Sequence, residues 1–96
     1  MQASAQATTS LPVCSVLPIL RRNDQQASAI ENVRLLQQRL NTFHGIKLTV
    51  DGFFGAKTEA AVKEYQARGN DHDPSILVDG IVGPQTWHAL GFCVKG

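Results

Sequence analysis

With 96 residues, 43% of them hydrophobic and 18% charged, the chain has the size of one small globular domain and is too apolar for a disordered one. Nine Lys and Arg against eight Asp and Glu leave a formal net charge of +1, with no basic stripe, which argues against a nucleic-acid partner. No apolar run approaches the roughly 18 residues that a spanning helix requires, so no membrane span is expected.

Residues 1–10, MQASAQATTS, are small and polar and are expected to form a flexible tail, leaving residues 11–96 as the domain. Ala5-Gln6-Ala7 has the small residues that end an export signal, but the charged and apolar regions that should precede it are missing. A trimmed signal and a plain tail both remain open. Pro12 and Pro18 fix backbone angles and remove donors, so Leu11 to Leu20 should run extended across the domain. The polar stretch RRNDQQAS then reads as a surface connection, with Asp24 or Ser28 as candidate helix caps.

From about Ala29 to Phe43, the apolar residues Ile30, Val33, Leu36, Leu40 and Phe43 fall at the three-and-four spacing of one helical face. Ser28 with Glu31 fits a capping box at its start, and Gly45 suits its end. Ile46, Leu48 and Val50 alternate as a short extended stretch. Asp51-Gly52 predicts a turn and Gly55 a break, after which a helix from about Ala56 to Arg68 places Thr58, Ala61, Val62 and Tyr65 on one face. Glu59 with Lys63, and Glu64 with Arg68, are spaced to pair on the other. The stretch GNDHDPS is a loop. Asp79-Gly80 turns again, Gly83 breaks, and Pro84 opens a short helix to about Leu90 that carries Trp87 and stops at Gly91.

The turns and helix starts are two copies of one phrase, VDGFFGAKTEAAV and VDGIVGPQTWHAL. The duplication reaches back into the preceding helices, where Val33, Leu36 and Gln37 parallel Val62, Tyr65 and Gln66. Asp51 and Asp79 offer a carboxylate pair for glycoside hydrolysis, but their identical settings before Gly assign both to the same turn. Asp51, Gly52, Gly55, Asp79, Gly80 and Gly83 are therefore read as structural, and Gln37 and Gln66 as closing equivalent loop groups. Asp71-His72-Asp73 invites a metal, but zinc-ligand spacings are absent, and the cluster reads as a solvated turn. No catalytic, cofactor or metal motif stands out. Cys14 and Cys93 flank everything that looks structured, either as a disulfide stapling the ends of an exported domain or as two unrelated thiols.

VRLLQQRL, then VDGFFGAKTEAAVKEYQ, then VDGIVGPQTWHAL together resemble the peptidoglycan-binding domain family, small helical modules attached to amidases, carboxypeptidases and muramidases. The likeness runs from about Leu17 to Leu90. It implies an all-α fold, a small closed three-helix bundle built from a duplicated helix-turn-helix unit, preceded here by the extended segment. It also implies non-catalytic binding of cell-wall peptidoglycan by an extracytoplasmic monomer (periplasm, cell wall or secreted) that targets, or acts beside, a cell-wall hydrolase. The chain departs from the family at RRNDQQASAIEN and in the NDHDPSI loop, both longer than usual.

A groove for glycan or stem peptide needs cations, amide donors and an aromatic face. Arg39, Phe53, Lys57, Arg68 and Trp87 are the candidates, although Phe53 and Trp87 suit a core equally and the three cations suit plain solvation. The alternative reading is a protein-interaction module, or an inhibitory pro-segment of the kind that blocks a metalloprotease zinc with a cysteine. Cys93 lacks the switch motif around such a cysteine. A stand-alone hydrolase is a third reading.

Overall fold

Three helices occupy the places that the apolar spacing predicts: α1 (Glu31–His44), α2 (Ala56–Asn70) and α3 (Pro84–Ala89), preceded by a 3-10 turn at Cys14–Val16. The computed structural model describes residues 10–95, so the expected tail lies, but for Ser10, outside the described residues. Among them there is no strand. Two isolated bridges, Val13 with Val94 in parallel and Leu20 with Val82 antiparallel, dock the N-terminal segment.

Each helix contributes one stripe to a shared core. Val33, Leu36 and Leu40 come from α1, Ala61 and Val62 from α2, and Trp87 from α3, with Phe54, Val82 and Leu90 from the connections. Leu36, Leu40 and Val82 are fully buried, each contributing about 2 kcal/mol in apolar burial. The ends of the α1 stripe escape this core. Ile30 is 41% and Phe43 67% exposed, the Phe43 ring lying against the Arg39 guanidinium rather than the core.

The start of α1 also differs from expectation. Neither Asp24 nor Ser28 caps it; the N-cap is Ile30, with extended backbone and no side-chain cap. The Ile30 N–H donates instead to the Gly52 carbonyl at 2.9 Å, and Glu31 pairs with Arg34 at 3.4 Å. A tertiary bond to the first turn replaces the local capping box, drawing Ala29 and Ile30 straight across Gly52. Gln26 completes this clasp, donating from Nε2 to Gly52 at 2.7 Å and accepting from the Phe54 N–H at 3.1 Å. At its other end α1 stops as expected, with Gly45 left-handed at φ 66°.

The long connection before α1 therefore packs against the first turn rather than looping free. One cross-fold side-chain pair follows from this. Arg22 reaches Glu59 at 3.4 Å, so Glu59 pairs across the fold instead of with Lys63, whereas Glu64 does pair with Arg68. At the opposite end of the chain, Cys14 and Cys93 are bonded, with their Cα atoms 4.9 Å apart. The bridge closes the N-terminal segment onto the tail beyond α3, next to the Cys14 N–H bond to the Val94 carbonyl at 2.9 Å.

Candidate functional site

The duplicated phrase folds twice into the same device. Asp51 Oδ1 accepts from the Phe53 N–H at 3.0 Å, and Asp79 Oδ1 from the Ile81 N–H at 2.9 Å. Gly52 and Gly80 supply the positive φ, 80° and 75°, that a side chain would resist. Inside each turn sits a buried glutamine. Gln37 Oε1 accepts from Asp51 and Gly52, while its Nε2 lies within reach of Asp51 Oδ1, the Phe53 carbonyl and Thr58 Oγ1. Gln66 repeats all five contacts with Asp79, Gly80, Ile81 and Thr86. Both aspartates are thus committed to turns, which leaves them poorly placed as an acid–base pair.

Each device opens onto a cleft at the following helix start, and there the copies diverge. The first cleft, about 340 Å³, is lined by Leu48, Thr49, Asp51, Phe53, Gly55, Ala56, Lys57 and Thr58 with Gln37 beneath. The second, about 220 Å³, has Leu77, Asp79, Ile81, Gly83, Pro84, Gln85 and Thr86 at equivalent places over Gln66, with Ile19 and Arg21 leaning on it. Gln85 straps its own loop to the helix, accepting from the Leu77 N–H at 3.3 Å and donating to the Ser75 carbonyl at 3.2 Å. Lys57 stands at the same place in the first copy and makes no such strap; it is exposed, and its ammonium has no partner among the described residues.

The first cleft therefore presents a free cation beside the N-terminus of α2. Gly55 gives that helix no side-chain cap, so its leading N–H groups face outward with the positive end of the helix dipole. In the second copy Pro84 removes one such donor. Phe53, 40% exposed, offers a ring on the rim. Asp51 is the one carboxylate in the cleft; the Phe53 N–H and then the Gln37 amide hold its acid below the usual range, so it stays ionised. A neighbouring groove of about 340 Å³, with Lys47, Ala60 and Glu64 on its walls, shares Lys57 and extends the surface. Such an arrangement suits a ligand with a carboxylate or amide group and an apolar face.

Of the five sequence candidates, only Phe53 and Lys57 come together. Arg39 lies between the rings of Phe43 and Phe92, 4.8 and 4.4 Å from their centroids, and donates to the Leu90 carbonyl at 2.6 Å. Arg68 donates to the His44 carbonyl at 2.6 Å and pairs with Glu64. Both arginines satisfy carbonyls at helix C-termini, the end where cations are favoured. Trp87 is 1% exposed, its Nε1 donates to the Pro18 carbonyl at 2.8 Å, and Phe92 meets its ring edge-on. It is a core residue and presents no face to a ligand.

Cys93 is bonded to Cys14, so it offers no thiol with which to block a zinc. Asp73 accepts from the Ser75 N–H and hydroxyl, and no group of three metal-ligating side chains converges among the described residues. The sequence reading missed Gln26, whose only signal was its place in the lengthened connection. It also missed the contribution of Leu48 and Thr49, which alternation alone does not assign to a cleft.

Residues 30–90 match the family described as "Putative peptidoglycan binding domain". An uncharacterized protein in the bpoA1 3' region of Kitasatospora aureofaciens is 37% identical over 76 residues, which is 78% of this chain and 57% of that protein. The crystal structure of a peptidoglycan-binding protein from Clostridioides difficile in complex with glutamine hydroxamate is similar, with a TM-score of 0.62 and 31% identity. That likeness covers 77% of this chain and 40% of the other. The chain thus spans little more than half of the first relative and less than half of the second.

Proposed function

Because the chain belongs to the peptidoglycan-binding domain family, we propose that it is a non-catalytic module that holds bacterial cell-wall peptidoglycan in the cleft between Phe53 and Lys57. A stem-peptide carboxylate would lie at the N-terminus of α2 beside Lys57, with the Phe53 ring against an alkyl side chain or a sugar face. The observation that carries this reading is the difference between the copies. Where Gln85 is tied to its own loop, Lys57 is left unpaired in an otherwise equivalent setting. The disulfide supports an extracytoplasmic location, where such bonds persist. A monomer delivering a cell-wall hydrolase, on the same chain or beside it, fits a small domain of this family.

The test is retention on purified sacculi. The parent protein should sediment with them, and Lys57→Ala and Phe53→Ala should each weaken retention about tenfold, the loss of one charge-assisted contact or one aromatic face. Arg21→Ala, beside the second cleft, should leave retention unchanged. Full retention by both cleft variants removes the site, and no retention on sacculi from several bacterial types removes the function.

A further inference from the structure

A recess of about 780 Å³, larger than either cleft and sharing no lining residue with the first, lies beside the disulfide. Its lining includes apolar side chains, half-buried Ile76 with exposed Pro84 and Ala89, and the polar Ser15, Asp73 and Lys95. The duplication shows where it came from. Gln85, His88 and Ala89 line it where Lys57, Ala60 and Ala61 line the groove of about 340 Å³ in the first copy. The second recess is more than twice the size because parts outside the repeated phrase raise its walls. These are the N-terminal segment at Ser15, the lengthened loop at Asp73 and Ser75, and the tail at Lys95. The Cys14–Cys93 bond holds the first and last of them together.

The recess carries one charge of each sign, on Asp73 and on Lys95. Asp73 is oriented by the Ser75 hydroxyl at 2.7 Å and the Ser75 N–H at 3.1 Å. Those bonds hold its acid below the usual range, and Lys95 acts in the same direction. Yet Asp73 and Lys95 form no ion pair within 4.0 Å of each other among the described residues. A simple anion or cation entering here would meet a like charge. A molecule carrying both signs would satisfy each wall, and the volume falls within the range of roughly 300 to 1,000 Å³ usual for small-ligand sites.

We propose that this recess is a second binding site, for a small zwitterion of the amino-acid or dipeptide class, with its ammonium on Asp73 and its carboxylate on Lys95. The aliphatic part lies over Ile76, Pro84 and Ala89. The site is independent of the cleft at Phe53 and Lys57 and stands whether or not that cleft binds the wall.

The experiment is amide chemical-shift mapping of the full, disulfide-bonded chain at neutral pH. The probes are alanylalanine with free termini and N-acetyl-alanylalanine amide, which has the same atoms between its ends but no charges. The free dipeptide should cause saturable shifts at Ser15, Ser75, Ile76 and Lys95 and none at Phe53 or Lys57, and the blocked one should bind at least tenfold more weakly. Lys95→Gln should weaken the free dipeptide about tenfold with an unchanged melting temperature, a readout that holds even if Asp73→Asn loosens the loop. Absence of saturable shifts, shifts confined to Phe53 and Lys57, equal binding of the blocked probe, or an unaffected Lys95→Gln variant would each overturn the proposal.

Discussion

Gln66 holds Asp79 from both sides, its amide oxygen accepting from the Asp79 N–H at 3.1 Å while its amide nitrogen reaches Asp79 Oδ1 at 3.2 Å. The glutamine is 2% exposed, so water cannot replace these bonds. Gln66→Ala should therefore cost about 3 kcal/mol, chiefly from the stranded Gly80 N–H and Thr86 hydroxyl. In a domain of this size that is a fall in Tm of about 12 to 24 °C. Gln37→Ala should do the same in the first copy, and thermal unfolding followed by circular dichroism checks both.

Two glycines of the first phrase should respond in opposite ways. At Gly52, φ is +80° and an added Cβ would lie 2.8 Å from Ala29 Cβ, so Gly52→Ala should destabilise by about 3 kcal/mol. At Gly55 nothing lies within 4 Å of an added Cβ, and the backbone is that of an uncapped N-cap. Gly55→Ser should add the missing cap and stabilise by about a few tenths of a kcal/mol. The same hydroxyl would occupy the α2 amides offered to a ligand, so sacculus retention should fall as stability rises. Denaturant titration and sedimentation, run on the same samples, test the pair of effects.

Reducing the Cys14–Cys93 bond frees a loop with a sequence separation of 79. On the chain-entropy account this lowers stability by about 4 kcal/mol. Urea unfolding with and without reductant measures the difference, and a shift of less than about 1 kcal/mol would show that the docked segment holds without its staple.

His44 adds a pH dependence. Burial, then the Arg68 and Arg39 guanidinium groups, lowers its pKa below the ordinary 6.5, and its ring lies against Tyr65 at 4.5 Å. The folded state therefore favours the neutral ring. Its contribution is complete above the unfolded value and is lost as pH falls from about 6.5 through the folded pKa, where the unfolded chain binds more protons. Stability measured from pH 7.5 to 5 should decline, and His44→Gln should flatten that part of the curve.

Much of this molecule is legible in one dimension. The spacing of Val33, Leu36 and Leu40, the doubled Asp-Gly turns, Gly45 and Pro84 specify helices and their ends through local backbone preferences, and the pairing of Gln37 with Gln66 follows from the duplication itself. Local preference fails where a distant segment competes. The capping box at Ser28 and Glu31 gives way to the Ile30 bond with Gly52, and at the last turn of α1 His44 packs on Tyr65 while Phe43 stays exposed beside Arg39.

The sequence by itself determined the family, the three helices and the two turns, because periodicity and turn chemistry act within a few residues. Only the tertiary structure decided which side chains remain for a ligand. Trp87 is used by the Pro18 carbonyl and the core, Arg39 and Arg68 by helix carbonyls, and Gln85 by its own loop. Lys57 alone of these keeps its polar end free, since availability is set by contacts between segments far apart in the chain, and those exist only once it has folded.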